Sequence, residues 1–286
     1  MSQPRYSRSA HEPSTPQEPG EPGSTMALET RYYRALPIDD PGYEEETLSL
    51  SLASTALVGM HCWNIGCPDG PAVDVDFCVG AGWPQSTQEA ARIMTEVIRP
   101  SMDLARRSGL QVCHVESDWM DAQYPQVPST RSTEPATLHP HQQAMLERAH
   151  GIDYMTRSPL AHMRRAEVAS PQGEEPLFFY TDPFDEYLQS RGIDTLIYTG
   201  FMADMCILAA DGGARAMVAR GYRCILMRDG TVGVETPESF PQRLATRYGI
   251  HIFEWSLGHG TSFAQYRAAM AQIEKEGQDM NPGASS

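Results

Sequence analysis

From residue 55 to about residue 276 the chain alternates short apolar runs with segments of helical spacing, and this alternation restricts the fold more than any other feature. TALVGMHCW (Thr55 to Trp63) is an apolar run bounded by turn-formers, the pattern of a buried strand. After a loop rich in Gly, Pro and Asp, STQEAARIMTEVIRPSMDLARRSG carries Ile93, Val97, Ile98, Met102 and Leu104 near helical spacing. Ser86 can cap that helix, Pro100 can kink it and Gly109 can close it. LQVCHVES (Leu110 to Ser117) is a second strand, and HQQAMLERAHG is a short helix inside an irregular 119–176 stretch. The remainder reads as helix (DPFDEYLQSRG), strand (IDTLIYTGF), helix (ADMCILAADGGARAMVARG), strand (YRCILMRDG) and helix (TPESFPQRLATRYG). IHIFEW is then the last strand and SFAQYRAAMAQIEK a closing helix.

Parallel strands need crossover connections, and helices are the usual crossover. The alternation therefore predicts an α/β domain of three-layer αβα build, with a mainly parallel sheet and helices on both faces. Ligands in such sheets bind beyond the C-terminal strand ends, which points to the loops after Trp63, Ser117 and Gly200.

The flanking segments differ in composition. Residues 1–25 are rich in Pro, Ser, Glu and Gly and cannot bury enough apolar surface to offset ordering entropy, so they read as a disordered tail. Residues 26–54 read as an arm lying over the domain, residues 55–276 as the domain itself, and residues 277–286 as a second disordered tail.

A formal charge of −15 with no Lys/Arg run disfavours phosphate backbones and anionic lipid, so neither nucleic acid nor membrane is an expected partner. No stretch approaches 18 apolar residues, and no basic start precedes an apolar h-region. The six cysteines lie mostly on apolar segments, which suits reduced thiols and a cytoplasmic location better than a disulfide framework.

Three segments together resemble the isochorismatase-like cysteine hydrolases. TALVGMHCWN resembles that family's opening strand, GIDTLIYTGFMADMC its strand, glycine and nucleophile turn, and ARGYRCILMRDGT the strand and Asp that follow the nucleophile helix. The resemblance implies a Cys–Asp–Lys site attacking an amide carbonyl or similar electrophile, with Cys206 as nucleophile. It also implies a cis peptide near Met202 and Ala203, an oxyanion hole from the N–H groups of Ala203 and Cys206, and a homo-oligomer. The start of a helix would favour the Cys206 thiolate. Read without the resemblance, Cys206 is equally a small buried hydrophobe.

The departures bear on mechanism. The position of the family Asp holds His61, and SPQGEEPLFFYTD, where a Lys is expected, offers Glu174 and Glu175 instead. Gly212 and Gly213 interrupt the helix after Cys206, as a bulge or a break. His61 admits two readings, a replacement base or a polar residue lining a relic pocket. His114 and Glu116 are two residues apart on a strand and share a face, where a hydrogen-bonded core histidine is the simpler reading. Trp63, Asp118 and Trp119 are expected to touch substrate from strand-end loops. No set of three or four metal ligands assembles from the sequence, so no metal is assigned, and no organic cofactor is implied.

The leading reading is therefore hydrolysis of a small amide-like molecule at a C–N bond through a Cys206 thioester. A degenerate family member kept for binding or assembly is the alternative. A metal-assisted hydrolase using His61, His114 and acidic neighbours is a third reading.

Overall fold

The computed structural model describes residues 24–73, 83–127 and 139–280. Eight strands form one sheet: β1 (Thr25–Arg34), β2 (Gly42–Ser51), β3 (Thr55–Met60), β4 (Gln111–Val115), β5 (Leu177–Phe178), β6 (Thr195–Gly200), β7 (Arg223–Met227) and β8 (Gly258–Thr261). Their order is β2-β1-β8-β7-β6-β3-β4-β5, and β8 through β5 run parallel. Helices α1 (Pro84–Ile93), α2 (Arg99–Arg107), α3 (Pro140–His150), α4 (Tyr154–Arg157), α5 (Thr181–Ser190), α6 (Cys206–Ala209), α7 (Ala214–Ala219), α8 (Leu244–Ser256) and α9 (Phe263–Met280) occupy the connections and the C-terminus.

Strand alternation divides the core in two. Leu57, Val112, Ile197 and Ile225 face α1, α2 and α9, while Ala56, Val58, Val115, Leu196, Tyr198 and Leu226 face α5 to α8. The αβα expectation is met.

Several local expectations are corrected. The segment read as an arm is a β-hairpin in which Met26, Leu28 and Leu50 are buried, and β1 meets β8 antiparallel at Arg31 and Gly260. Residues 1–23, most of the expected tail, lie outside the described residues. At the other end α9 continues to Met280, past residue 277, and residues 281–286 are also outside the description. α1 starts at Pro84 after Trp83 rather than at Ser86, whose hydroxyl makes no hydrogen bond. A π-helical stretch (Met94–Ile98) joins α1 to α2 just before Pro100, which has no N–H to continue the ladder.

IHIFEW is not a strand. It lies in α8, which buries Thr246, Gly249 and Phe253 at helical spacing, so the local alternation gives way to the longer pattern. The last strand is instead GHGT, where β7 leaves no room for a side chain: a Cβ on Gly258 would fall 1.9 Å from the Cys224 carbonyl oxygen. The apolar residues Tyr266, Ala269 and Met270 of α9 are buried within the chain. Among the described residues no helix is long and apolar enough to cross a membrane.

Candidate active site

The chain runs from β3 outward through β4 to β5, then returns to place β6 on the other side of β3. That reversal is a topological switch point, where a crevice opens beyond the strand ends. The turn after β6 is built around Gly200. Its φ is +116°, and a Cβ there would sit 1.9 Å from the Met60 carbonyl oxygen, so only glycine lets β6 leave the sheet so close to β3. The Phe201–Met202 peptide is cis, one bond before the expected Met202–Ala203 neighbourhood.

Cys206 opens α6, which lasts one turn. The expected long helix breaks at Ala210–Gly213 before α7 begins, because Gly212 takes φ +67° and its backbone is pinned on both sides. Its N–H donates to Thr181 Oγ1 at 2.9 Å and its carbonyl accepts from Tyr198 at 2.8 Å. So short a helix carries little dipole, and the Cys206 thiol is pushed above its ordinary pKa, chiefly by burial. The N–H groups of Met202 and Cys206 face the sulfur and act the other way, while the Glu116 and Asp204 charges add to the rise. The help that the helix start was expected to give the thiolate is thus outweighed by burial.

A cavity of about 330 Å³ opens at this point, lined by Cys206, His61, Glu116, Ser117, Asp118 and Trp119 together with Ala209 to Asp211. Cys206, His61, Asp118 and Trp119 are thus brought together as expected. Trp63 is not: it is buried beside Phe201, with ring centroids 6.0 Å apart, and pairs through its backbone with Arg165. Ala203 also leaves the expected set, because its N–H is already donated to the Val232 carbonyl at 3.0 Å.

His61 reaches the cavity from the end of β3 with φ +47°, and its Nδ1 lies 3.2 Å from Ser117 Oγ. Burial, then the Arg165 charge, push its pKa down to about 3, against a smaller opposite pull from Asp211. It is neutral near pH 7 but a poor proton acceptor, since so acidic an imidazolium cannot hold a thiol proton.

Behind the cavity lies a buried charge network that the sequence reading did not assemble. Arg165 donates to Glu116 Oε1 at 2.5 Å, the Ala169 carbonyl at 2.8 Å, the Gly59 carbonyl at 3.2 Å and His114 Nδ1 at 2.7 Å. Because Nδ1 accepts, His114 carries its proton on Nε2, which donates to Glu175 Oε2 at 2.8 Å. Burial and the Arg165 charge push the His114 pKa down to about 3. Glu175 takes a bidentate pair from Arg106 at 2.6 and 2.9 Å, and its pKa falls to about 2 despite burial. Glu175, one of the two acids standing where a Lys was expected, is therefore committed to structure. Both nitrogens of His114 are occupied, which removes it from the metal-assisted reading, and among the described residues no three His, Cys, Asp or Glu side chains converge as metal ligands. The His114–Glu116 spacing was the sequence signal for this network; Arg165 had none.

Comparison with known proteins follows the same geometry. The isochorismatase domain model matches residues 175–249, which include β6, the glycine turn and Cys206. The ureidoacrylate amidohydrolase RutB of Azorhizobium caulinodans is 26% identical over 235 residues, covering 80% of this chain and 95% of that protein. The chain is thus similar to the isochorismatase-like hydrolases, most directly over residues 175–249. RutB of Klebsiella pneumoniae is likewise 26% identical over 170 residues, 57% of this chain and 67% of that one. Among solved structures, a cysteine hydrolase from Pseudomonas syringae pv. phaseolicola shares the fold at TM-score 0.51 and 14% identity, over 78% of this chain and 95% of that one.

Proposed function

We propose that this chain hydrolyses the C–N bond of a small amide-like substrate through a thioester on Cys206. The observation that carries the reading is that Cys206 opens onto a cavity at the switch point that also receives the ends of β3 and β4. A volume of about 330 Å³ suits a small molecule rather than a polymer. The two amidohydrolases at 26% identity support amide or ureido chemistry. Asp118 and Trp119 contact the substrate at the cavity mouth, and the N–H groups of Met202 and Cys206, which face the sulfur, stabilise the oxyanion. The same proposal includes a homo-oligomer, for which light scattering should return at least twice the 31.7 kDa chain mass.

The test is a panel of small amides and ureido compounds with the full chain, reading released ammonia or amine. Cys206→Ala should abolish turnover, and quenched reactions should carry an acyl mass on the Cys206 peptide. Turnover that survives Cys206→Ala sinks the reading. The raised thiol pKa favours a second one, a binding protein that keeps the fold without the chemistry. Under it no compound turns over while small amides still protect Cys206 from alkylation.

A further inference from the structure

The family resemblance calls for an Asp at the end of the first parallel strand and a Lys before α5, and neither is present. The geometry points to Glu116, held by Arg165, as the group that takes the proton of the Cys206 thiol: a carboxylate on the neighbouring strand in place of one at the end of β3. This rests on Cys206 being the nucleophile.

Four observations meet here. Glu116 follows the last residue of β4, is fully buried, and lines the same cavity as Cys206. Its Oε1 is fixed by a guanidinium that is itself anchored on two carbonyls and a histidine, so the carboxylate cannot swing away. Its Oε2 makes no hydrogen bond of normal geometry, although the Cys62 and Ser117 N–H groups approach the carboxylate. A buried oxygen left open beside a cavity calls for an occupant, and a mobile proton is one. Finally, its charge is felt at the sulfur.

The groups around Glu116 are His61 and Cys62 beyond β3, His114 on β4, Arg165, and Cys206 beyond β6; the Asp204 charge acts on the sulfur, and Asp118 and Asp211 line the cavity further out. Arg165 is the one cation among them in contact, and its charge works to hold the carboxylate ionised against the stronger effect of burial, which raises its pKa. A raised carboxylate is a better acceptor for a thiol proton than a relaxed one.

The steps balance. Oε2 accepts the Cys206 S–H proton as the sulfur bonds to the carbonyl carbon and the C=O electron pair moves to oxygen. When the C–N bond breaks, the nitrogen takes that proton from Glu116 and leaves as an amine or ammonia. Water attacks the thioester while Glu116 accepts its proton, the C–S bond breaks, and the proton returns to sulfur. The net reaction is hydrolysis, with no redox partner.

The experiment measures alkylation of Cys206 by iodoacetamide in the full chain, located by peptide mass spectrometry, across pH about 5 to 9. Any substrate found active supplies kcat/KM beside it. Glu116→Gln should slow both by about 100-fold or more and abolish the acidic limb of the profile, while Glu116→Asp keeps the limb at an intermediate rate. His61→Asn should cost at least about tenfold less than Glu116→Gln. If Glu116→Gln unfolds for want of a partner for Arg165, the double variant E116Q/R165M replaces both charges and should show the same loss. Wild-type labelling rates in a folded Glu116→Gln or double variant, or a larger loss from His61→Asn, overturn the assignment while leaving Cys206 as nucleophile. Absence of any Cys206 labelling or acyl adduct in the wild type overturns both.

Discussion

Of the glutamates almost wholly removed from solvent, Glu116 at the end of β4 and Glu235 ahead of α8 are treated by their surroundings in opposite ways. Both oxygens of Glu235 are occupied by neutral donors: Thr246 N–H and Oγ1 at 2.9 and 2.8 Å on one, Ser239 Oγ and the Ala245 N–H at 2.5 and 3.2 Å on the other. Burial alone would raise its pKa, but these bonds outweigh it and hold the group below its ordinary range. The carboxylate thereby satisfies N–H groups at the start of α8, where anions are favoured. Glu116 has one very strong ion pair, one open oxygen, and a pKa that burial carries upward. A carboxylate that is fully satisfied holds a helix in place. One that is held at one end and left open at the other, beside a cavity, is placed to exchange a proton.

The sharpest way to break that contrast is to remove the cation. Arg165→Met strips Glu116 and His114 of a shared buried partner and should cost about 3–5 kcal/mol by denaturant unfolding. A cost below that of the Glu235 variant described below would mean the pair is not the core of this network.

Acid should act nearly as strongly. His61 and His114 fall from 6.5 to about 3 on folding, so the unfolded chain binds more protons between those values. Their contribution is complete above pH about 6.5 and is lost as pH falls toward 3, by about 2 kcal/mol for each histidine at pH 5. Glu116 has the opposite sign, since a raised carboxylate favours the folded state at low pH, and it offsets part of that loss. Because the Arg165 charge lowers both histidines, Arg165→Met should flatten the pH dependence of stability as well as lower it.

Glu235→Gln replaces an acceptor by an amide whose NH2 must face donors, and should cost about 1–3 kcal/mol, with activity retained in whatever protein remains folded. The smallest effect is expected from Ser117→Ala, which removes the 3.2 Å partner of His61 Nδ1 and should cost about 1 kcal/mol. If Ser117→Ala instead matched Glu116→Gln in its effect on Cys206 labelling, His61 rather than Glu116 would be controlling the thiol.

The order of parallel strands and crossover helices was legible in the sequence, because hydrophobic period is a local property and the crossover rule leaves few ways to wind it. The turn after β6 was legible for the same reason: Gly200 and Cys206 lie on one short stretch whose geometry is set by its immediate neighbours. IHIFEW shows where this fails, since a four-residue alternation cannot reveal that Gly249 packs α8 against the Ala203–Asp204 backbone, with room for no Cβ. The chemistry around the sulfur failed in the same way. Sequence put a histidine at the end of β3 and noticed a glutamate near the end of β4, but whether either can accept a proton depends on how much water and which charge surround it. That was decided by Arg165, 49 positions from Glu116 in an irregular segment without a motif, which only the closed fold carries into the space behind β3 and β4. Electrostatic energy there depends on distance and burial rather than on order along the chain, so the same residues in a different packing would have had different acids and bases.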